Sequence, residues 1–121
     1  MARILVAAGD SEELALIKDV FKETAHEVIT ARDGEEAEVK ARSDAVDMIS
    51  LDIILPKKNG YQVCRTLRSE QALSEVPIIL VSSRAEENAR EWGIKQGATE
   101  YIDNPFAPLD ILLAVKKFLK K

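Results

Sequence analysis

Asp52 ends an apolar run, Val46-Asp47-Met48-Ile49-Ser50-Leu51-Asp52, and Ile53-Ile54-Leu55-Pro56-Lys57-Lys58-Asn59-Gly60 follows it. A run bounded by a proline and glycine turn reads as a buried strand, so this spacing puts a carboxylate at the mouth of a sheet. Open α/β sheets place their ligands and chemistry there. Other reactive side chains stand at comparable positions: Asp10 after Ala7-Ala8-Gly9, Ser82-Ser83 after Ile78-Ile79-Leu80-Val81, and Asp103-Asn104 after Tyr101-Ile102. The remaining sequence argues against common enzyme sites. Its five glycines form neither G-x-G-x-x-G nor a Walker loop, and a lone histidine, His26, leaves no Ser-His-Asp or Cys-His set. Ala7-Ala8-Gly9-Asp10-Ser11 could offer backbone N–H groups to an anion, which is a weak site and poor support for a flavin- or nucleotide-binding enzyme.

The elements that must position Asp52 follow from the alternation of two patterns. Ile4 to Ala7, Val28 to Ala31, Met48 to Leu51, Ile78 to Val81 and Tyr101-Ile102 are short and apolar, and most are rich in β-branched residues; they predict five strands. Between them, helical spacing links Leu14, Ile17, Val20 and Phe21; Ala37 and Ala41; Tyr61, Cys64 and Leu67; Ala89, Trp92 and Gln96; and Leu109, Leu112, Leu113, Lys116 and Phe118-Leu119. Five β-then-α units predict an α/β fold, a doubly wound parallel sheet with helices on both faces and right-handed crossovers. In the flavodoxin-like order 2-1-3-4-5 the switch point lies between strands 1 and 3, which brings Ala7-Ala8-Gly9-Asp10 to face Asp52.

Composition bounds the rest. The 121 residues suit one domain, expected to span 1–121. Seventeen basic and 21 acidic side chains give a net charge of −4, which with the lack of a basic stripe argues against a nucleic-acid partner. One cysteine, Cys64, rules out an internal disulfide and suits a reducing, cytoplasmic setting. Neither a signal peptide pattern nor an apolar stretch of membrane-spanning length is present, so no membrane insertion is expected.

These residues resemble the response-regulator receiver domains of two-component signalling, the CheY-like family. The resemblance covers essentially the whole chain and is carried by Asp47-Met48-Ile49-Ser50-Leu51-Asp52-Ile53-Ile54-Leu55-Pro56 with Asn59-Gly60-Tyr61, by Val76-Pro77-Ile78-Ile79-Leu80-Val81-Ser82-Ser83, and by Gly97-Ala98-Thr99-Glu100-Tyr101-Ile102-Asp103-Asn104-Pro105-Phe106. Within the family, Glu91-Trp92-Gly93-Ile94-Lys95-Gln96-Gly97-Ala98 is similar to stand-alone regulators of pilus-motility chemosensory systems.

The resemblance implies that Asp52 occupies the phosphoacceptor position, whose carboxylate becomes an acyl phosphate. It implies Ser82 as the hydroxyl and Tyr101 as the aromatic switch position. It also exposes three departures. Ala8 and Gly9 fall where the family has an acidic pair that holds Mg²⁺, and Asn104 falls where it has a lysine. The donors left for a metal would be Asp52 and Asp10 with the Ile54 carbonyl, so Mg²⁺ is a doubtful cofactor and no other is implied. Catalysis of phosphoryl transfer is largely positioning and charge neutralisation. Each missing contact, at about 4 Å and an effective dielectric of about 20, is of order 4 kcal/mol before solvent competition, and about 1.4 kcal/mol is tenfold in rate.

Plain structural roles compete for several positions. Asp10 precedes Ser11-Glu12-Glu13 and is a natural N-cap, with Glu13 placed to complete a capping box. Ser82 and Ser83 could be helix caps, Cys64 should pack in the core, and His26 should be a solvated loop residue. Trp92 suits either core or a partner contact. Lys116, Lys117, Lys120 and Lys121 complement the dipole of the last helix. Two functions follow from the resemblance. One is a receiver that has lost its chemistry and acts by protein binding. The alternative is a conventional receiver, phosphorylated on Asp52 by a histidine kinase. Either is a signalling module with at most self-catalysed phosphoryl transfer. Either implies protein partners, a sensor histidine kinase or a chemosensory or motility effector, at helix 4, strand 5 and helix 5 through Trp92, Tyr101 and Phe106.

Overall fold

The computed structural model describes residues 2–22, 24–82, 88–102 and 107–119. Five strands, β1 (Arg3–Ala7), β2 (Glu27–Ala31), β3 (Met48–Asp52), β4 (Ile78–Val81) and β5 (Glu100–Ile102), alternate with helices α1 (Ser11–Phe21), α2 (Gly34–Ser43), α3 (Gly60–Arg68), α4 (Ala89–Lys95) and α5 (Pro108–Phe118). All pairings are parallel and the sheet order is β2-β1-β3-β4-β5, as the sequence predicts.

Period-2 alternation divides the apolar residues between the two faces. Leu5, Ala7, Ile49, Leu51, Ile78, Leu80 and Tyr101 pack with Ala37 and Ala41 of α2, Val63, Cys64 and Leu67 of α3, and Ala89 of α4. Ile4, Val6, Met48, Ile79 and Val81 pack with Leu14, Ile17 and Phe21 of α1 and Ile111, Ala114 and Val115 of α5. β3 lies mid-sheet and is buried along its whole length, as expected where helices cover both faces.

Two details differ from expectation, on α5 and at His26, while α2 forms as predicted. On α5 the core-facing residues are Ile111, Ala114 and Val115, while Leu109 and Leu113 are 56% and 55% exposed. The three leucines of α5 are prominent in its apolar pattern, but the helix is rotated so that Ile111, Ala114 and Val115 meet the sheet and Leu112 is only partly buried beside them. His26 is half-buried rather than solvated, with its ring edge-on to Phe21 at 6.4 Å. The short α2 holds because Asp33 Oδ1 accepts from Glu36 N–H at 2.8 Å while Glu36 Oε1 accepts from Arg32 N–H at 2.7 Å. Capping therefore supplies what its weak apolar pattern lacks.

Candidate functional site

The parallel register fixes the neighbours of Asp52. Ala7 pairs with Leu51, so Ala8 lies one step on, beside Asp52; across the other edge Asp52 pairs with Val81, so Ser82 follows. Asp52 and Ser82 are both buried, at 4% and 2% exposure. Ile54 N–H donates to Asp52 Oδ1 at 3.1 Å, and Ser82 N–H donates to the Ile102 carbonyl at 3.1 Å.

The start of α3 packs directly onto the backbone of Asp52. Gly60 N–H donates to the Ile53 carbonyl at 2.9 Å, and a Cβ at Gly60 would lie 2.6 Å from the Asp52 carbonyl oxygen. Only glycine permits that approach. The intervening turn includes Lys57 at φ 70°, and its two lysines are engaged away from Asp52. Lys57 Nζ lies 3.7 Å from Asp33 and 3.8 Å from Glu35, and Lys58 Nζ lies 2.7 Å from Glu38.

Gly9, Asp10, Glu13, Asp52, Ile54, Leu55 and Pro56 line one open pocket. Of the sequence-predicted site residues, it gathers Asp52, Asp10, Gly9 and Ile54; Ala8 is buried alongside. Asp10 acts as the N-cap, accepting from Glu12 N–H at 3.0 Å. Glu13 does not complete the expected capping box. Its carboxyl lines the same pocket as Asp52, and the two influence each other. The cause is facial: Met48, Ser50 and Asp52 alternate toward the side of β3 that α1 covers, and Glu13 occupies the first turn of α1. The sequence allowed this destination as readily as the cap, since both use the first helical turn.

Two carboxyls in one contact perturb each other. Burial raises Asp52 to about 6, while the N–H groups of Ile54 and Ile53 and the hydrogen bond from Glu13 hold it down. Burial first, then the charges of Asp52 and Asp10 and the hydrogen bond with Asp52, push Glu13 up to about 7.

Tyr101 is only 1% exposed, which corrects its expected place on a partner-facing surface. In this conformation its ring lies in the core, under the Arg90 guanidinium at 5.8 Å from its centroid, and its hydroxyl finds no hydrogen-bond partner among the described residues. Trp92 does stand outward at 51% exposure, edge-on to Tyr61 at 6.3 Å. Glu100 links the surrounding elements: Arg90 Nη1 of α4 lies 3.1 Å away and Lys117 Nζ of α5 3.6 Å away. Asn104 and Phe106 lie outside the described residues.

Residues 4–116 match the response regulator receiver domain. The chain belongs to that family. The alkaline phosphatase synthesis transcriptional regulatory protein PhoP of Bacillus subtilis is 34% identical over 98% of this chain and 49% of its own length, so the chain spans about half of that relative. Protein PilH of Pseudomonas aeruginosa is 29% identical over 98% of each chain, in keeping with the resemblance to pilus regulators. A solved response regulator from Chloroflexus aurantiacus matches with a TM-score of 0.90 at 26% identity, over 99% of this chain and 98% of that one. The chain is thus a receiver of two-component signalling, a signalling module rather than a member of a catalytic family.

Receiver domains generally bind Mg²⁺ at the phosphorylation site. The donors here do not fit that ion. Ala8 and Gly9 offer no carboxylate, and a Cβ at Gly9 would already lie 3.1 Å from Pro56 Cδ. Asp10 caps α1 and Asp52 is engaged by Glu13. Among the described residues no group of three or more His, Cys, Asp or Glu side chains could hold a metal.

Proposed function

We propose that this chain, as a single receiver domain over 1–121, has lost Mg²⁺-dependent phosphorylation at Asp52 and works by binding proteins. The observation that carries the reading is the surroundings of Asp52: apolar Ala8 and Gly9 beside it, and two further acids, Asp10 and Glu13, with no basic residue in the pocket it lines. A phosphodonor is an anion, and without a neutralising charge its approach to a buried carboxylate is opposed. Ser82 and Tyr101 keep the switch positions. The inward Tyr101 ring, closed over by Arg90, supports a domain held in one state.

The binding surface in this reading is α4, β5 and α5, tied together through Glu100 and carrying exposed Trp92. Its partner is a sensor histidine kinase or a chemosensory or motility effector, and the similarity to PilH supports the latter. The lone, buried Cys64 thiol suits the cytoplasm. Among the described residues no helix is long and apolar enough to cross a membrane.

The test is incubation with acetyl phosphate, with and without Mg²⁺, read by intact mass beside an Asp52→Ala control. The expected result is no mass gain. A gain that requires both the metal and Asp52 would restore the conventional receiver.

A further inference from the structure

Trp92, the chain's single tryptophan, does not share the side of α4 that meets β5. Arg90 marks that side, with Nη1 3.1 Å from Glu100 and Nη2 donating to the Tyr101 carbonyl at 3.0 Å. Two residues further on is roughly 200° round a helix, which turns Trp92 the opposite way, edge-on to Tyr61 of α3. Between the two helices lies an open groove of about 190 Å³, lined by Asn59, Tyr61, Gln62, Arg65, Trp92 and Gln96. We propose that this α3–α4 groove is a docking site for an acidic protein segment, Trp92 and Tyr61 receiving one apolar side chain of the segment and Arg65 a flanking carboxylate. The inference extends the preceding binding surface round α4 and rests on that reading in one respect, that the chain works by binding proteins.

Charge and size select the occupant. Arg65 is the groove's one charged lining residue, and α3 has no Asp or Glu along its length. Arg65 is exposed and has no ion pair or side-chain hydrogen bond among the described residues, whereas Arg68, three residues on, is held by the carbonyls of Leu73, Val76 and Gly97. The exposed neighbours on α4, Glu91 and Lys95, cancel in charge, so Arg65 sets the sign. The net charge of −4 opposes a nucleic acid as the occupant. A drug-sized ligand needs roughly 300 Å³ or more, so the groove suits one side chain of a longer partner. Trp, Tyr and Arg are the residue types that carry most binding energy at protein interfaces, and all three meet here at one opening. The walls are also fixed before anything binds. Asn59 Oδ1 accepts from Gln62 N–H at 2.9 Å and Gln62 Oε1 from Asn59 N–H at 3.0 Å, which fastens the start of α3. Arg68 Nε donates to the Gly97 carbonyl at 2.7 Å and the Cys64 thiol to the Gln96 carbonyl at 3.5 Å, which fastens the end of α4 to α3. A preformed site loses little affinity to ordering.

Trp92 is its own reporter. The ¹⁵N-labelled chain is titrated with acetyl-Glu-Glu-Leu-Glu-Glu-amide, with the same peptide carrying Ser for Leu, and with acetyl-Lys-Lys-Leu-Lys-Lys-amide, and followed by tryptophan fluorescence and backbone amide shifts. The first peptide should saturate with a Kd of about 1 mM or tighter, shift the Trp92 emission to the blue and move the amides of Gln62, Arg65, Trp92 and Gln96. The serine and lysine peptides should bind about tenfold more weakly or worse, and Arg65→Glu should weaken the first peptide by about tenfold or more. Equal binding of the three peptides, no saturable change at Trp92, or shifts that fall on Glu100, Leu113 and Lys117 instead would overturn the proposal, as would the same response to a single-stranded oligothymidine. Amide spectra establish that the Arg65 variant is folded, and the peptide comparison on the native chain decides the matter if it is not. A mass gain from acetyl phosphate would refute the impaired-receiver reading and leave the groove standing. Failure of the peptide to bind would remove the groove and leave that reading.

Discussion

Asp52→Asn should stabilise the protein at alkaline pH and make little difference in acid. In the folded state burial raises Asp52 from 3.8 to about 6. A carboxyl raised in this way favours the fold while it is protonated, below its unfolded pKa, and that contribution is lost as pH climbs through the folded value. The window therefore runs from about pH 4 to about pH 7, since Glu13 titrates just above Asp52. A difference of about two pH units at about 1.4 kcal/mol each gives an upper figure of about 3 kcal/mol. Coupling between the two carboxyls reduces this, and the Asp52 and Glu13 contributions do not add. An asparagine removes the buried charge while its side-chain oxygen can still accept from Ile54 N–H and its amide can donate to Glu13. At about pH 8 the variant should gain about 1–3 kcal/mol, which for a chain of this size is a rise in Tm of about 4–12 °C. Thermal unfolding followed by circular dichroism from about pH 4 to about pH 8 would give the difference curve. A Tm difference that stays constant across that range, or an Asn variant less stable at the alkaline end, would refute the assignment of a buried and unfavourable charge.

Gly60→Ala drives a Cβ into the Asp52 carbonyl, so urea unfolding should show a loss of about 1–3 kcal/mol; a loss under about 0.5 kcal/mol would mean that α3 does not rest on β3 as described. On α5, Ile111→Ala should lose about 2–4 kcal/mol while Leu113→Ser stays within about 0.5 kcal/mol, and the reverse ranking would show the helix rotated. Burial pushes the Cys64 thiol up to about 11, so native protein should resist iodoacetamide near neutral pH and react only on unfolding; rapid native alkylation would place the thiol outside the core.

The sheet is readable because β3 and β4 are short, largely apolar runs followed by turn residues, and the order follows from the alternation of elements. The site's outline was equally plain, since Asp52, Ala8 and Ser82 are strand-end positions fixed by register. Side-chain choice was less legible. Asp10 and Glu13 have the spacing of a capping box, and nothing local decides between the backbone of α1 and a carboxyl on β3. Helix rotation has the same character: the three leucines of α5 weigh as much as Ile111, Ala114 and Val115 in any count of apolar residues, yet it is the latter set that meets α1 and the sheet. Tyr101 shows the third limit. Its position in β5 follows from sequence, but whether the ring lies inward or outward depends on the room that Gly93 and Arg90 leave around it.

The central claim is that no divalent cation neutralises Asp52. Titrating Mg²⁺ into the labelled protein in the presence of beryllofluoride, and following the amides of Asp52, Ile54, Ser82 and Tyr101 by NMR, tests it most directly. The account predicts no saturable shift at these four residues over millimolar metal. Saturable shifts at Asp52 and Ser82 that need both reagents and vanish in Asp52→Ala would contradict it.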